Sequence, residues 1–558
     1  MSYVFASKNG SSENPELLAN AKTLAFDIEG SGVNVGTSVP YGYSLAFEPD
    51  SAYYVHIDDQ QFKDLLADES RLKIPFNAAY DRSMLKKAGV TIDNLCDPMI
   101  AAHLLNNTEL SLKALALKYL GLNVVSFREL GRDIADMSLQ ELLEYSGPHS
   151  MAALMLWGVL EKKLRELKLL DVFWNIEMPF VPVLSDMEFN GVAVDNDTLT
   201  VLGREFDDKI AVIAESLDYW SGHPGMNHNS PQQVAKLLYE ELGVPVGRTT
   251  STEGKPSVDK RYLETILGKH PYIRPYLVFK QYKTLKHSYV DSLRKQIVDG
   301  RVYGSFNQTR TRTGRLSSSD PNLQKIPQRT SIGRRIRESF VAPEGQVLLK
   351  WDYDLIELKG LAHCSQDPTL LKAFREGEDI HKATAIRVYG SADERPKGKT
   401  LNFRITYGGG EPKDREAFFG MYPHALEWIK LTTAEAREAG YTRTIGGRIR
   451  DIPELWSTYP KIQQHGDREV ISTIIQGSTA EVMKIGMRRF WNEVKDSDVK
   501  IVLQVHDEMV LQAPEKDEKD IIRILERTMT YNDWSLPLTG TISVGKNWGE
   551  MREIASVN

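Results

Sequence analysis

The stretch IVLQVHDEMVLQ sets two runs of β-forming residues around His506, Asp507 and Glu508. Two such runs with almost nothing between them can only fold back as an antiparallel hairpin. His-Asp is poor turn chemistry, because the tight turns that suit strand twist favour Asn-Gly or Asp-Gly. A hairpin that accepts a poor turn keeps it for what its side chains do. A second acidic pair, Asp352 and Asp354 in WDYDLIEL, closes another strand-like apolar run, with the change from strand to helix expected at Ile356.

A third stretch, RPKGKTLNFRITYGGG, places Arg395, Lys399, Phe403 and Tyr407 four residues apart, so that they share one face of a helix. At 1.5 Å per residue the row is about 18 Å long, enough to follow a polyphosphate into its sugar and base. Pro396 is tolerable only in the first turn, and the glycines from Gly408 onward stop the helix.

The chain has 558 residues, too many for one core, and implies three to five domains. A net charge of −7 argues against a general nucleic-acid binder. The charge is uneven, however. Residues 301–340 hold nine Lys/Arg against two Asp/Glu, a strip that could track phosphates. Two cysteines, Cys96 and Cys364, make no disulfide framework and suit a reducing cytoplasm. The sequence shows neither a signal segment nor a membrane-length apolar run.

Near the N-terminus, TLAFDIEGSG ends a β-forming run with Asp27 and Glu29, two carboxylates on one strand face that can hold a divalent metal. IPFNAAYDRSML then supplies Asn77 and Asp81, one helical turn apart, and ELLEYSGPHSMAAL supplies Tyr145 and His149.

In this order, WDYDLIEL, RPKGKTLNFRITYGGG and IVLQVHDEMVLQ resemble motifs A, B and C of the family A DNA polymerases, the group of bacterial DNA polymerase I and many phage replicases. TRTGRLSSSDPNLQKIP and the closing ISVGKNWGEM extend the resemblance over nearly the whole chain. It implies an α/β and α+β multidomain protein, with an RNase H-like exonuclease domain ahead of a right-hand polymerase. The implied boundaries are 1–170 for the exonuclease-like domain, 171–195, 300–365 and 490–558 for the palm, 196–299 for the thumb and 366–489 for the fingers. The lysine-rich stretch VFKQYKTLKHSYVDSLRKQI would be a long thumb helix, and Gly247 to Asp259 a polar loop.

The resemblance also implies roles. Asp352 and Asp507 would hold two Mg2+ ions, with Glu508 beside them, while Lys399 and Arg395 meet the triphosphate. His381 would touch phosphate, and Phe403 and Tyr407 would stack near sugar and base. Glu357 would pack on Tyr407 as the gate against a ribose hydroxyl. Arg315, Asn322, Gln324, Arg468, Gln476 and His506 would contact primer-template DNA. In the N-terminal domain, Asp27, Glu29 and Asp81 would bind metal and Tyr145 would orient water for 3′–5′ proofreading.

One departure falls at His149, where the family has an aspartate. Losing that carboxylate puts proofreading in doubt. The expectation is a domain that keeps its fold and single-strand groove but hydrolyses slowly, or prefers Mn2+ to Mg2+. Smaller departures are Leu355, Lys359 and Ser472. The expected partners are primer-template DNA and dNTP, with no membrane, for a monomer in the cytoplasm, or in the host cytoplasm if the chain is of phage origin. No 5′ nuclease is expected ahead of the exonuclease-like domain, as in a phage replicase or a trimmed repair enzyme. The rival readings are a single-subunit RNA polymerase, which the pair Glu357 and Tyr407 disfavours, and a non-catalytic DNA-binding protein with a decayed polymerase fold.

Overall fold

Strand β2 (Thr23–Gly30) shows how the N-terminal sheet is made: Leu24, Phe26 and Ile28 enter the core from one pleat, while Asp27 and Glu29 share the other. The computed structural model describes residues 2–3, 20–247, 249, 254, 256–328 and 330–554. Much of the loop expected over 247–259 lies outside the described residues. β1 (Ser2–Tyr3), β3 (Pro40–Glu48), β4 (Ser51–His56) and β5 (Leu72–Ile74) complete this sheet in the order β1-β4-β3-β2-β5. A long helix, Leu139–Glu166, packs across β2, β3 and β4 and carries Tyr145 and His149. Pro148 lies inside it, so the Glu144 carbonyl loses its helical donor at the turn that presents those two side chains.

Two ribbons follow, β6 (Val192–Ala193) with β7 (Arg301–Val302) and β8 (Ser305–Asn307) with β9 (Ser317–Ser319). The second large sheet starts with β10 (Gln346–Tyr353). After a further ribbon of β11 (Tyr441–Arg443) and β12 (Ile449–Asp451), it takes in β13 (Lys500–Val505), β14 (Glu508–Pro514), β15 (Gly540–Gly545) and β16 (Arg552–Ile554). Its order is β13-β14-β10-β15-β16, antiparallel throughout. On β10, Val347, Leu349, Trp351 and Tyr353 fill the core, which leaves Lys350 and Asp352 together on the other pleat.

Three large apolar clusters organise the chain. The packing cuts the sequence differently from the boundaries expected above. Val172, Phe173, Met178 and Val181 belong to the N-terminal core, past the expected break at 170. Leu358, Leu361 and Ala362 pack with residues 370–475, on the fingers side of the expected break at 365. The helix Pro460–Val494 runs unbroken through the expected break at 489. Its Val470, Ile471 and Ile474 serve that same cluster, and its Met483, Met487 and Phe490 serve the central one. The lysine-rich helix begins at Ile273 and passes at Lys286–Asp291 through a wider π turn, where Lys286 bonds Asp291 at 3.1 Å. Among the described residues, no helix is long and apolar enough to cross a membrane.

Candidate active site

β10 and the β13–β14 hairpin bring the two distant acidic stretches together. Asp352 stands opposite Glu508 in the strand register, and the Tyr353 amide donates to the Asp507 carbonyl at 3.3 Å. The hairpin closes with His506 at φ +58°, a left-handed conformation that a histidine adopts at a cost. Lys350 Nζ lies 3.6 Å from Asp352 and 3.7 Å from Glu508. Glu508 is buried and accepts from Trp548 Nε1 at 2.7 Å, and the Arg337 guanidinium stacks 3.7 Å over the Trp548 ring. Burial raises the Asp352 carboxyl above its ordinary range, with Lys350 opposing and Glu508 adding to the rise. Burial, followed by the charge of Asp352, pushes Asp507 up to about 7. Two desolvated carboxylates that repel each other, with one lysine nearby, form a hard-oxygen donor set that fits divalent cations.

The row of four lies on the helix Arg395–Thr406, with Tyr407 as its C-terminal cap. Arg395 and Lys399 are exposed, Phe403 and Tyr407 half-buried, and Leu401, Asn402 and Ile405 pack inward. Gly398 lets the helix Ile380–Tyr389 approach closely, since a Cβ there would sit 2.3 Å from the His381 carbonyl. Gly408 ends the row at φ +71°, against the backbone of Arg468. Arg395 bonds Asp379 at 2.5 Å, and Lys399 Nζ lies 5.9 Å from the Phe403 ring centre.

Tyr407 Oη donates to both oxygens of Glu357, at 2.9 and 2.7 Å, and Arg315 Nη2 donates to the same carboxylate at 2.5 Å. The helix that carries Glu357 starts behind Leu355, whose φ of +52° turns the chain out of β10. The expected change at Ile356 therefore occurs through a left-handed residue. Gln324 bonds Gln504, which bonds the His506 carbonyl, so those two residues share one network. Arg468 and Gln476 lie on the helix Pro460–Val494, and Asn322 begins a short turn at Leu323. His381 is not solvated. It is 2% exposed, its Nδ1 faces the Asn402 amide at 2.9 Å, and burial with the charges of Lys399 and Arg395 lowers it to about 4.

The N-terminal cluster is tighter. His149 Nδ1 is 3.1 Å from Asp27 Oδ2, and Nε2 is 2.8 Å from the Val125 carbonyl. One ligand atom from each of Asp27, Glu29 and His149 falls within 4.8 Å of the others. Asp81 is buried beside them, with Oδ2 unpartnered, as is Glu29 Oε1. Burial, then the charges of Asp27, Asp97 and Glu29, raises Asp81 well above the carboxylate range. The Tyr145 ring stands edge-on to His149 at 4.8 Å. A cavity of about 520 Å³ opens from Asp27, Asn77 and Asp81, and Phe306, Gln308 and Arg310 line it from the other body. Orphaned carboxylate oxygens fit a cation, but an imidazole in the set fits a pair of Mg2+ ions poorly.

Sequence reasoning missed Lys350, Asp97, Asn402 and the carbonyl of Val125. Lys350 was within reach, since a spacing of two from Asp352 puts both on one pleat. Asp97 caps the helix Pro98–Leu104 and accepts from the Ala78 amide at 2.8 Å, a tertiary contact without a local signature.

The family model of DNA polymerase family A matches residues 196–550, more than half of the chain. The chain belongs to the family A DNA polymerases. A second model, of a 3′–5′ exonuclease, matches residues 5–165 of this family A chain. DNA polymerase I of Pseudomonas aeruginosa is 34% identical to it, across 96% of this chain and 64% of the relative. The thermostable DNA polymerase I of Thermus filiformis is 36% identical, across 84% and 56%. The chain thus spans under two thirds of these relatives. A solved structure, the POL domain of Pol1 from M. smegmatis in complex with DNA primer-template and dNTP, superposes with a TM-score of 0.89. It is 28% identical and covers 98% of this chain and 99% of that one. The architecture is therefore an exonuclease domain followed by a family A polymerase domain, and both kinds of domain depend on metal.

Proposed function

We propose that this chain extends a DNA primer along a template from dNTPs by phosphoryl transfer at Asp352 and Asp507. The observation that carries the reading is the meeting of Asp352 and Asp507 at β10 and the β13–β14 turn, where the charge of Asp352 disfavours proton release from Asp507. The complex of the M. smegmatis relative with primer-template and dNTP supports the same choice of partners.

Phosphoryl transfer needs charge neutralised and atoms held in line more than it needs covalent help. Asp352 and Asp507 would hold two Mg2+ ions, which would supply Lewis acidity to the phosphoryl transfer. Lys399 offsets triphosphate charge and gives a proton to the leaving group, and Arg395, released from Asp379, holds the γ-phosphate. His381 lies behind that row as a phosphate contact, with its Nε2 unpartnered in the buried position. Phe403 stacks near the new sugar and base. Tyr407 and Glu357, already bonded, close the space a ribose 2′-hydroxyl would need.

Arg315 adds a charge-assisted bond to that gate and, on release, reaches minor-groove acceptors that occur at every base pair. Asn322, Gln324, Arg468, Gln476 and His506 line the same DNA path. The domains are read as 1–170 exonuclease-like, 171–195, 300–365 and 490–558 palm, 196–299 thumb and 366–489 fingers, with the helix Pro460–Val494 shared between fingers and palm. In the N-terminal domain Asp27, Glu29 and Asp81 hold metal beside Tyr145, and the His149 replacement leaves 3′ hydrolysis slow in Mg2+.

Primer extension tests the polymerase assignment. Asp352→Ala and Asp507→Ala should each abolish extension while primer-template binding by fluorescence anisotropy stays within a few-fold; a variant that still extended primers would remove that residue from the site.

A further inference from the structure

We infer that the N-terminal cluster seats one borderline divalent cation, of the manganese or zinc class, with the Nδ1 lone pair of His149 as a direct ligand beside Asp27 and Glu29. The inference rests on reading this domain as an exonuclease fold, and it names the ion that the altered site takes.

The ring's chemistry is fixed from behind. A carbonyl only accepts, so the 2.8 Å contact with Val125 puts a hydrogen on Nε2 and leaves Nδ1 as the nitrogen that faces the cluster. Nδ1 faces Asp27 Oδ2 at 3.1 Å, where a shared proton holds the pair in the metal-free protein, and a cation taking one atom from each of Asp27, Glu29 and His149 displaces that proton. Glu29 offers the third atom, since its Oε1 is buried with no donor, and Asp81 keeps an unpartnered Oδ2 nearby. A buried acceptor without a donor is expensive, and a cation relieves both.

The edge-on Tyr145 ring and the Val125 carbonyl hold the imidazole in place, as outer partners do for metal-bound histidines. Imidazole nitrogen suits ions late in the divalent series and suits Mg2+ badly. The family's carboxylate at this position is therefore replaced by a ligand that changes which ion is accepted.

The test is pulsed EPR of the full chain with substoichiometric Mn2+, which detects a directly bound imidazole nitrogen. The expected result is nitrogen modulation in the native protein that disappears in His149→Gln and in Asp27→Ala. Mn2+ affinity should fall about tenfold or more in His149→Gln. Gln retains a donor for Val125, and circular dichroism verifies that each variant is folded. Native protein without the nitrogen signal, or a signal unchanged in His149→Gln, overturns the inference. His149→Asp separates this from the underlying reading by restoring the carboxylate. If that variant degrades single-stranded 3′ ends in Mg2+ and the native protein shows no nitrogen signal, the ligand role falls and the exonuclease reading stands. If the signal is present and no variant degrades DNA with any of the three ions, the metal site stands and the exonuclease reading falls.

Discussion

Two acidic clusters, one in each half of the molecule, solve the same electrostatic problem in different ways. In the polymerase half, Asp352 and Asp507 are left mutually repelling, with Lys350 at 3.6 Å as the near cation, while Trp548 and Arg337 occupy Glu508. In the N-terminal half, Asp27 and Glu29 face a histidine inside the cluster itself. Burial alone would lower the His149 pKa, but the hydrogen bond and charge of Asp27 outweigh it and leave the group raised. One site keeps its negative charge available for hard cations; the other has spent part of it internally. A carboxylate cluster is thus defined as much by the cations built into it as by the acids that a motif names.

The sharpest break in this comparison comes from removing one acid from each cluster. Losing Asp352 or Asp507 removes several kcal/mol of metal-borne stabilisation, about a thousandfold or more in the rate of nucleotide addition. Asp27→Ala should leave that rate unchanged in single-turnover extension. Loss of extension in Asp27→Ala would mean that the two clusters are not independent.

The joint between the halves comes next. Glu177 is buried at 1% exposure and bonds Lys484 at 2.7 and 2.8 Å, Gln308 at 2.9 Å and the buried Arg448. Burial would raise its pKa, but Lys484 and Arg448 draw it down to about 2. Glu177→Gln strands two buried cations and should cost about 3–5 kcal/mol, read as a lower denaturation midpoint in urea. A midpoint near that of the native protein would show the joint to be replaceable.

A smaller effect is expected at the gate. Glu357→Ala opens the space beside Tyr407 and should relax the preference for deoxyribose about a hundredfold, measured as the ratio of kcat/KM for dNTP and rNTP. An unchanged ratio would move the gate elsewhere.

The mildest test is pH. Asp507 has a folded pKa of about 7, above its unfolded value, so the folded protein binds the extra proton. Its contribution to stability is therefore full below the unfolded pKa and is lost as pH rises through 7. The metal-free protein should melt higher at pH 5.5 than at pH 8, and saturating Mg2+ should close the gap. Below pH 7 the Mg2+ needed for half-maximal extension should rise about tenfold per unit, because proton and metal compete for one carboxylate. A requirement flat across that range would remove the Asp507 proton from the account.

What could be read in advance follows from how local each signal is. The helix Arg395–Thr406 was legible because a spacing of four, Pro396 and Gly408 are all local. The turn at His506 was legible as an anomaly, and its positive φ is the physical form of that anomaly. The meeting of Asp352 with Asp507 came from resemblance, since no local pattern pairs distant strands. Burial of His381 was hidden because what covers it, Gly398 and Asn402, comes from the next helix. The lock on His149 was equally hidden, because its partner is a backbone carbonyl, and every residue has one.

The comparison reduces to whether one protein, in one buffer, can use Mg2+ in one cluster and not in the other. The direct measurement follows a labelled primer with a matched or a mismatched 3′ end in Mg2+, with Asp27→Ala as control. The account predicts rapid extension of the matched end and little trimming of the mismatched one, with trimming restored in His149→Asp. Brisk Mg2+-dependent trimming by the native protein, abolished in Asp27→Ala, would contradict it.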